Sequence, residues 1–252
     1  MKIQHNLFYL LIAVIGIILF VPFLGTVHLF DWDEINFAEC AREMILSGNY
    51  SVVQIDYQPF WEKPPLFIWM QVLSMNIFGI NEFAARFPNA VCGVLTLITV
   101  FTIGKKTVDE KFGIIWALAF AGSLLPHLYF KTGIIDPWFN LFIFLGLFHF
   151  ILFVNDPHNK NLIFSAMFIG FGILTKGPVA LLIFMLTVAG FFIVSQQKPV
   201  IRAKQIIMYA VVLFLSGGSW FIYLAAAGQS NIVIEFILYQ IRLFTTEDAG
   251  HG

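Results

Sequence analysis

Charge is scarce in this chain. Only 12% of its 252 residues are Asp, Glu, Lys or Arg, against about 25% in an ordinary soluble domain, too few to coat a globular surface. The net charge of −1 offers no basic face to a phosphate backbone, so nucleic acid is excluded as a partner. Two cysteines cannot make a disulfide framework. The polar alternation of a porin-like barrel is missing, no repeat with a period of about 20–50 residues is visible, and the apolar content excludes a disordered chain.

What is abundant is hydrophobic: 59% of residues, including 30 Phe, at a mean hydropathy of +0.85. With charged residues as breaks, the uncharged runs are 3–30, 64–81, 87–104, 112–130, 137–155, 161–175, 177–197 and 205–234. Most are long enough for a helix through about 30 Å of hydrocarbon, which takes roughly 20 apolar residues. The first run follows a single Lys2, exceeds a secretory apolar region and lacks a small-x-small cleavage site near Thr26, so it reads as a retained span.

Charge decides which runs cross. Run 64–81 opens on Pro64-Pro65 and is interrupted by Gln71, Ser74, Asn76 and Asn81. If it lies in the interface, eight Lys and Arg fall inside (Lys2, Lys105, Lys106, Lys111, Lys160, Lys198, Arg202, Lys204) against six outside; if it crosses, five fall inside against nine. The positive-inside rule selects the first arrangement. Seven spans follow, at 7–25, 87–104, 112–130, 137–154, 161–175, 178–195 and 206–227, the fifth being short enough to break near Gly170 and Gly172. The predicted fold is an all-α membrane protein, a polytopic helical bundle of about seven spans with amphipathic helices on the outer surface in the first external loop, 31–86. On this topology 12 of the 15 acids face outward, and seven of them lie between Asp31 and Pro64.

In that loop, Asp33 stands where a helix N-cap belongs, Glu34 in the first turn, and Gly48 can close the helix. Ile35, Ala38, Ala41, Met44 and Ile45 recur at helical spacing, which describes a short amphipathic helix on the membrane surface. Glu39 can pair with Arg42 at i,i+3, whereas no basic residue lies at that spacing from Asp33. Taken alone, Asp33 reads as a cap or as a reacting acid. Next, Pro64 biases Lys63 toward extended backbone and displays Glu62 and Lys63 among Phe60, Trp61 and Trp69, as surface decoration or as a site. Asp136 opens the fourth span with Pro137 in the first turn, again a cap or a site. Lys176 precedes Gly177-Pro178 at a span boundary, where lysine commonly snorkels. Arg242 and His251 lie outside, the remaining histidines follow no ligand spacing, and Cys40 and Cys92 read as unpaired thiols.

In order, DEINFAECAREM (33–44), FWEKPP (60–65), NEFAARFP (81–88), IDPWF (135–139) and LTKGP (174–178) resemble the motif series of the GT-C membrane glycosyltransferases that use polyprenyl-phosphate sugars. These are the aminoarabinose (lipid A) transferases and the protein O-mannosyltransferase-like superfamily. The resemblance runs through essentially the whole chain. Phe60-Trp61 replaces the family's more usual aromatic-Phe before E-K.

The resemblance implies a transferase that moves a sugar from a polyprenyl-phosphate donor to a hydroxyl or phosphate of a lipid, glycan or protein acceptor, with inversion. It implies that Asp33 is the base or acceptor-orienting acid, Asp136 the second cavity acid, Lys63 the cation facing the lipid phosphate and Arg242 its helper, with Glu34 and Lys176 supporting. Glu62 and His251 match residues that bind a divalent metal in some relatives, and no other cofactor is implied. The expected location is the cytoplasmic membrane, multi-pass, with the amino terminus inside and the site facing the periplasm or exterior. Relatives continue for several more spans and often an outer domain, so residues 1–252 are expected to form the amino-terminal transmembrane catalytic region of a longer protein. The alternative is a transporter with Asp136 and Lys176 on an ion or substrate path.

Overall fold

The computed structural model describes residues 2–30, 32–195 and 201–245. Among them the elements are α1 (Lys2–Phe20), α2 (Trp32–Ser47), a hairpin of β1 (Gln54–Ile55) and β2 (Gln58–Pro59), α3 (Leu66–Phe78), α4 (Glu82–Thr107), α5 (Glu110–Ala121) and α6 (Leu124–Tyr129). The chain continues through α7 (Asp136–Asn155), α8 (Asn159–Lys176), α9 (Val179–Ser195), α10 (Ala203–Gly217), α11 (Ser219–Ala226) and α12 (Ser230–Thr245). The protein is an all-α membrane protein. Its contacts divide it into two units, residues 1–46 with 68–138, and 47–67 with 139–252.

Local sequence sets most helix ends. Asn81 caps α4 by accepting from the Ala84 N–H at 2.9 Å, and Asp109 caps α5 by accepting from Phe112 at 2.7 Å. Gly48 closes α2 at φ +69 and Gly177 closes α8 at φ +83, the left-handed conformation that glycine enters without a Cβ penalty. Between β1 and β2, Asp56 and Tyr57 both have positive φ, 53 and 56, the signature of a two-residue hairpin turn.

Several expected spans are corrected. The first helix stops at Phe20 rather than Gly25, short of Pro22, which disfavours helix at the residue before it. The third span, 112–130, is two helices parted at Gly122-Ser123, with Pro126 in the second. The seventh breaks at Gly218 into α10 and α11, bent by 61°. The fifth does not break: α8 runs unbroken through Gly170 and Gly172, whose bare backbones admit neighbours, since a Cβ at Gly170 would overlap Ser216 and one at Gly172 would lie 3.1 Å from Ala180. By length and composition, α4 and α7 can cross a membrane, and the α10–α11 pair makes a third candidate among the described residues.

The first unit packs α1 onto α4 through Phe20, which meets Phe130 at 5.0 Å between ring centroids. Both rings crowd Gly93, where a Cβ would lie 2.6 Å and 2.7 Å from them. Gly104 of α4 and Gly113 of α5 bring those helices into backbone contact, as small residues do where lipid supplies no hydrophobic drive between helices. The second unit centres on Phe139, Ile143, Phe150, Ile169 and Phe184 of α7, α8 and α9.

Candidate functional site

In the first unit one acid and one arginine form a buried pair. Arg86, on the first turns of α4, is 3% exposed and Glu34 of α2 is 0% exposed. Arg86 donates from Nε to Glu34 Oε1 at 2.7 Å and from Nη2 to Oε2 at 2.9 Å. Its remaining hydrogens reach the carbonyls of Leu24 (2.7 Å), Val27 (2.6 Å) and His28 (3.0 Å), so all five guanidinium N–H donors are used. Glu34 Oε1 also accepts the Gly133 N–H at 2.7 Å and Oε2 the Phe30 N–H at 3.2 Å. A buried ion pair is costly unless its spare lone pairs and protons are satisfied, and here they are.

This joint ties together three strands of chain that carry candidate acids or lie next to them. Asp33 directly precedes Glu34 and is part-buried in the first turn of α2. The structure corrects its expected place by two residues: α2 begins at Trp32, so Asp33 is the second residue of the helix rather than its N-cap. Asp136 opens α7 as expected, three residues after Gly133. A side chain at Gly133 would be crowded, since its Cβ would lie 3.1 Å from the Ala85 carbonyl and 3.2 Å from Gln71 Nε2.

Further along α2, Arg42 pairs with Glu39 as the i,i+3 spacing predicts, with Nε at 2.8 Å from Oε2. The hydrogen bond from Arg42 is the chief reason the Glu39 carboxyl lies below the ordinary range, outweighing desolvation by burial, which raises it. Glu39, Arg42 and Glu82 line the rim of a cavity of about 270 Å³ whose walls include Ile35, Met75 and Ile80. Cys40 is buried and unbonded. Burial and the neighbouring Glu43 and Glu39 push its thiol up, so it cannot serve as a nucleophile near neutral pH.

The second unit holds the cations. The segment 47–67 is fastened at one end by Trp220, whose Nε1 donates to the Ser51 carbonyl at 2.7 Å. At its other end Tyr239 of α12 donates from its hydroxyl to Glu62 Oε2 at 3.3 Å. Lys63 Nζ lies 5.9 Å from the centroid of the same Tyr239 ring, within cation–π range. Arg242 is exposed and follows Tyr239 by three residues on α12, which places the two on one helix face. Lys176, in the last turn of α8, sits over the Phe139 ring at 5.7 Å.

Of the expected site residues, Asp33, Glu34 and Asp136 fall in the first unit, and Glu62, Lys63, Lys176 and Arg242 in the second. His251 lies outside the described residues. Among the described residues no group of three or more His, Cys, Asp and Glu forms a metal cradle, and Glu62 by itself is one carboxylate whose Oε2 already accepts from Tyr239. A divalent cation takes several ligands, of which Glu62 would supply one. Sequence reasoning missed Arg86 and Tyr239 as site residues. Arg86 stands in the NEFAARFP motif and Tyr239 in YQIR, but neither signals its partner, since those lie 52 and 177 positions away.

Residues 62–223 match the dolichyl-phosphate-mannose-protein mannosyltransferase family. The chain belongs to that family. This family member is 31% identical over 250 residues to undecaprenyl phosphate-alpha-4-amino-4-deoxy-L-arabinose arabinosyl transferase 1 of Proteus mirabilis (strain HI4320), a match covering 92% of this chain and 43% of that protein. It is 26% identical to the transferase of the same name in Shewanella sediminis (strain HAW-EB3), covering 93% and 44%. Among solved structures, apo ArnT from Cupriavidus metallidurans superposes with a TM-score of 0.82 at 21% identity, over 93% of this chain and 44% of that one. The same protein bound to undecaprenyl phosphate superposes at 0.71 with 20% identity, over 91% and 43%. The fold is therefore the membrane-helical one that the motif series implies, and the chain spans less than half the length of these relatives. The family is one of transferases, which leaves the transporter alternative without support.

Proposed function

We propose that the protein is a glycosyltransferase that moves a sugar from a polyprenyl-phosphate donor to an acceptor hydroxyl or phosphate, lipid A being the first acceptor to try. The observation that carries this reading is the placement of Lys63 against Tyr239, on the helix face that also presents Arg242. Two long cationic side chains beside an aromatic ring suit a lipid phosphate, which brings charge and an apolar tail together. The transferase names of the relatives and the undecaprenyl phosphate bound to ArnT support the same donor class.

The chemistry needs little more. The acceptor oxygen gives its proton to Asp33 and attacks the anomeric carbon. The bond from that carbon to the phosphate oxygen breaks, and the polyprenyl phosphate leaves with the electron pair and one more negative charge. Lys63, helped by Arg242, stabilises that charge as it grows. The leaving group is already a stable anion, so no strong general acid is required. Asp136 orients the acceptor or the reacting sugar, while Glu34 fixes the backbone on either side of the acids and Lys176 supports from the end of α8. One displacement with oxocarbenium character inverts the anomeric centre.

The site works at the outer face of the cytoplasmic membrane, with the amino terminus inside. The eight-to-six distribution of Lys and Arg supports this, and an epitope tag inserted near Asn49 should be reachable from outside while one near Lys160 is not. The decisive experiment is Asp33→Asn in the full-length enzyme in detergent, assayed with undecaprenyl-phosphate aminoarabinose and lipid A. Loss of a proton acceptor should lower the rate roughly 10²–10⁴-fold with melting temperature unchanged, whereas near-normal transfer removes Asp33 from the chemistry.

A further inference from the structure

Asp136 is carried at the end of a loop, 131–135, that has no helix or strand of its own, so something outside the loop must hold it. Asn89, in the interior of α4, is fully buried. Its Nδ2 donates to the carbonyls of Thr132 at 2.6 Å and Ile134 at 2.7 Å. Those carbonyls flank Gly133, whose own N–H goes to Glu34. Beyond Asp136, Trp138 Nε1 donates to the Pro88 carbonyl at 3.2 Å, one residue before Asn89. Positions 132, 133, 134 and 138 are thus pinned by α4 or α2, and Asp136 lies between the pinned points.

The orientation of the Asn89 amide is unambiguous. Carbonyls only accept, so the NH₂ must face them, and Asn89 Oδ1, buried and without a hydrogen-bond partner, takes no part. Nor would an apolar residue of the same size serve, because two buried carbonyls would lose their donor and be left unsatisfied.

We propose that Asn89 is a positioning residue for Asp136, clasping the Thr132–Ile134 loop so that the carboxylate at the head of α7 is held in one place. The inference rests on the transferase reading for its catalytic consequence, though not for the clasp itself. Asn89→Asp keeps the size but turns the donor into an acceptor facing two carbonyls, and Asn89→Leu removes polarity altogether.

The test uses both variants in the full-length enzyme in detergent. Amide hydrogen exchange should speed up at least about tenfold across 131–137 and stay unchanged in α8 and α9; unchanged exchange in 131–137 overturns the clasp. With undecaprenyl-phosphate aminoarabinose as donor, kcat per folded enzyme, counted by bound undecaprenyl phosphate, should fall about 10- to 100-fold, the scale of an ångström's misplacement. KM for the donor should stay within about twofold. A lower melting temperature with unchanged kcat per folded enzyme assigns Asn89 to folding alone and overturns the positioning role. Wild-type transfer by Asp136→Asn overturns the role of Asp136 and with it the catalytic half of the proposal, while the exchange result still decides the clasp.

Discussion

Glu34 and Glu62 each adjoin a candidate reacting residue, Asp33 in one case and Lys63 in the other, and they are held in opposite ways. Glu34 is sealed from solvent with donors on both oxygens, four in all. Glu62 is half-buried, and the bond it receives from Tyr239 is 3.3 Å long. The acid of the first unit is held in a fixed frame, that of the second in an adjustable one. On the proposed reading that contrast has a use: a proton acceptor works by geometry set in advance, whereas a lipid phosphate would come and go, and lysine, a point charge on a flexible stem, could follow it.

The largest effect should come from breaking the fixed side. Arg86→Met strands the Glu34 carboxylate in a dry site, and losing one partner of a buried pair costs about 3–5 kcal/mol. Thermal unfolding in detergent should show a large drop, and an unchanged melting temperature would mean that the frame is not what holds α2. Lys63→Ala should separate the two sides most clearly. It is expected to weaken transition-state stabilisation by about 2–4 kcal/mol while leaving melting nearly untouched, so wild-type kcat/KM in this variant removes Lys63 from the mechanism.

Smaller changes sharpen the contrast. Tyr239→Phe keeps the ring under Lys63 but deletes the hydroxyl that reaches Glu62, a loss of about 0.5–1.5 kcal/mol that should appear as a rise in donor KM. Last, Arg42→Gln removes an ion pair about a third exposed, worth less than about 1 kcal/mol. Because Arg42 lowers the Glu39 carboxyl from its usual 4.5, the pair stabilises the fold above about pH 4.5 and ceases to do so as pH falls through the lowered value. The small melting difference between Arg42→Gln and wild type at pH 7 should therefore shrink as pH falls below about 4.5 and through the lowered Glu39 value.

What could be read from the sequence is what neighbours in the chain decide. The Glu39–Arg42 pair, the Gly48 stop, the start of α7 at Asp136-Pro137 and the unbonded cysteines all follow from spacing or count. The Arg86–Glu34 joint and the Tyr239–Glu62 bond do not, because Glu34 meets Gly133 from 99 positions away and Tyr239 meets Glu62 from 177. The broken third span is a different failure. Counting uncharged residues treats Gly122, Ser123 and Pro126 as apolar filler, whereas backbone chemistry treats them as an end, a cap position and a missing donor.

The two cysteines have a practical consequence. Both thiols are buried and outside any disulfide, and burial with the neighbouring Glu43 pushes the Cys40 thiol up. Thiol reagents act on exposed thiolates, so the folded protein should stay dark to maleimides and resist oxidation without either cysteine being replaced. A thiol introduced at an exposed position of this region would then be read without interference from Cys40 or Cys92, which suits spin-label or fluorophore distance work.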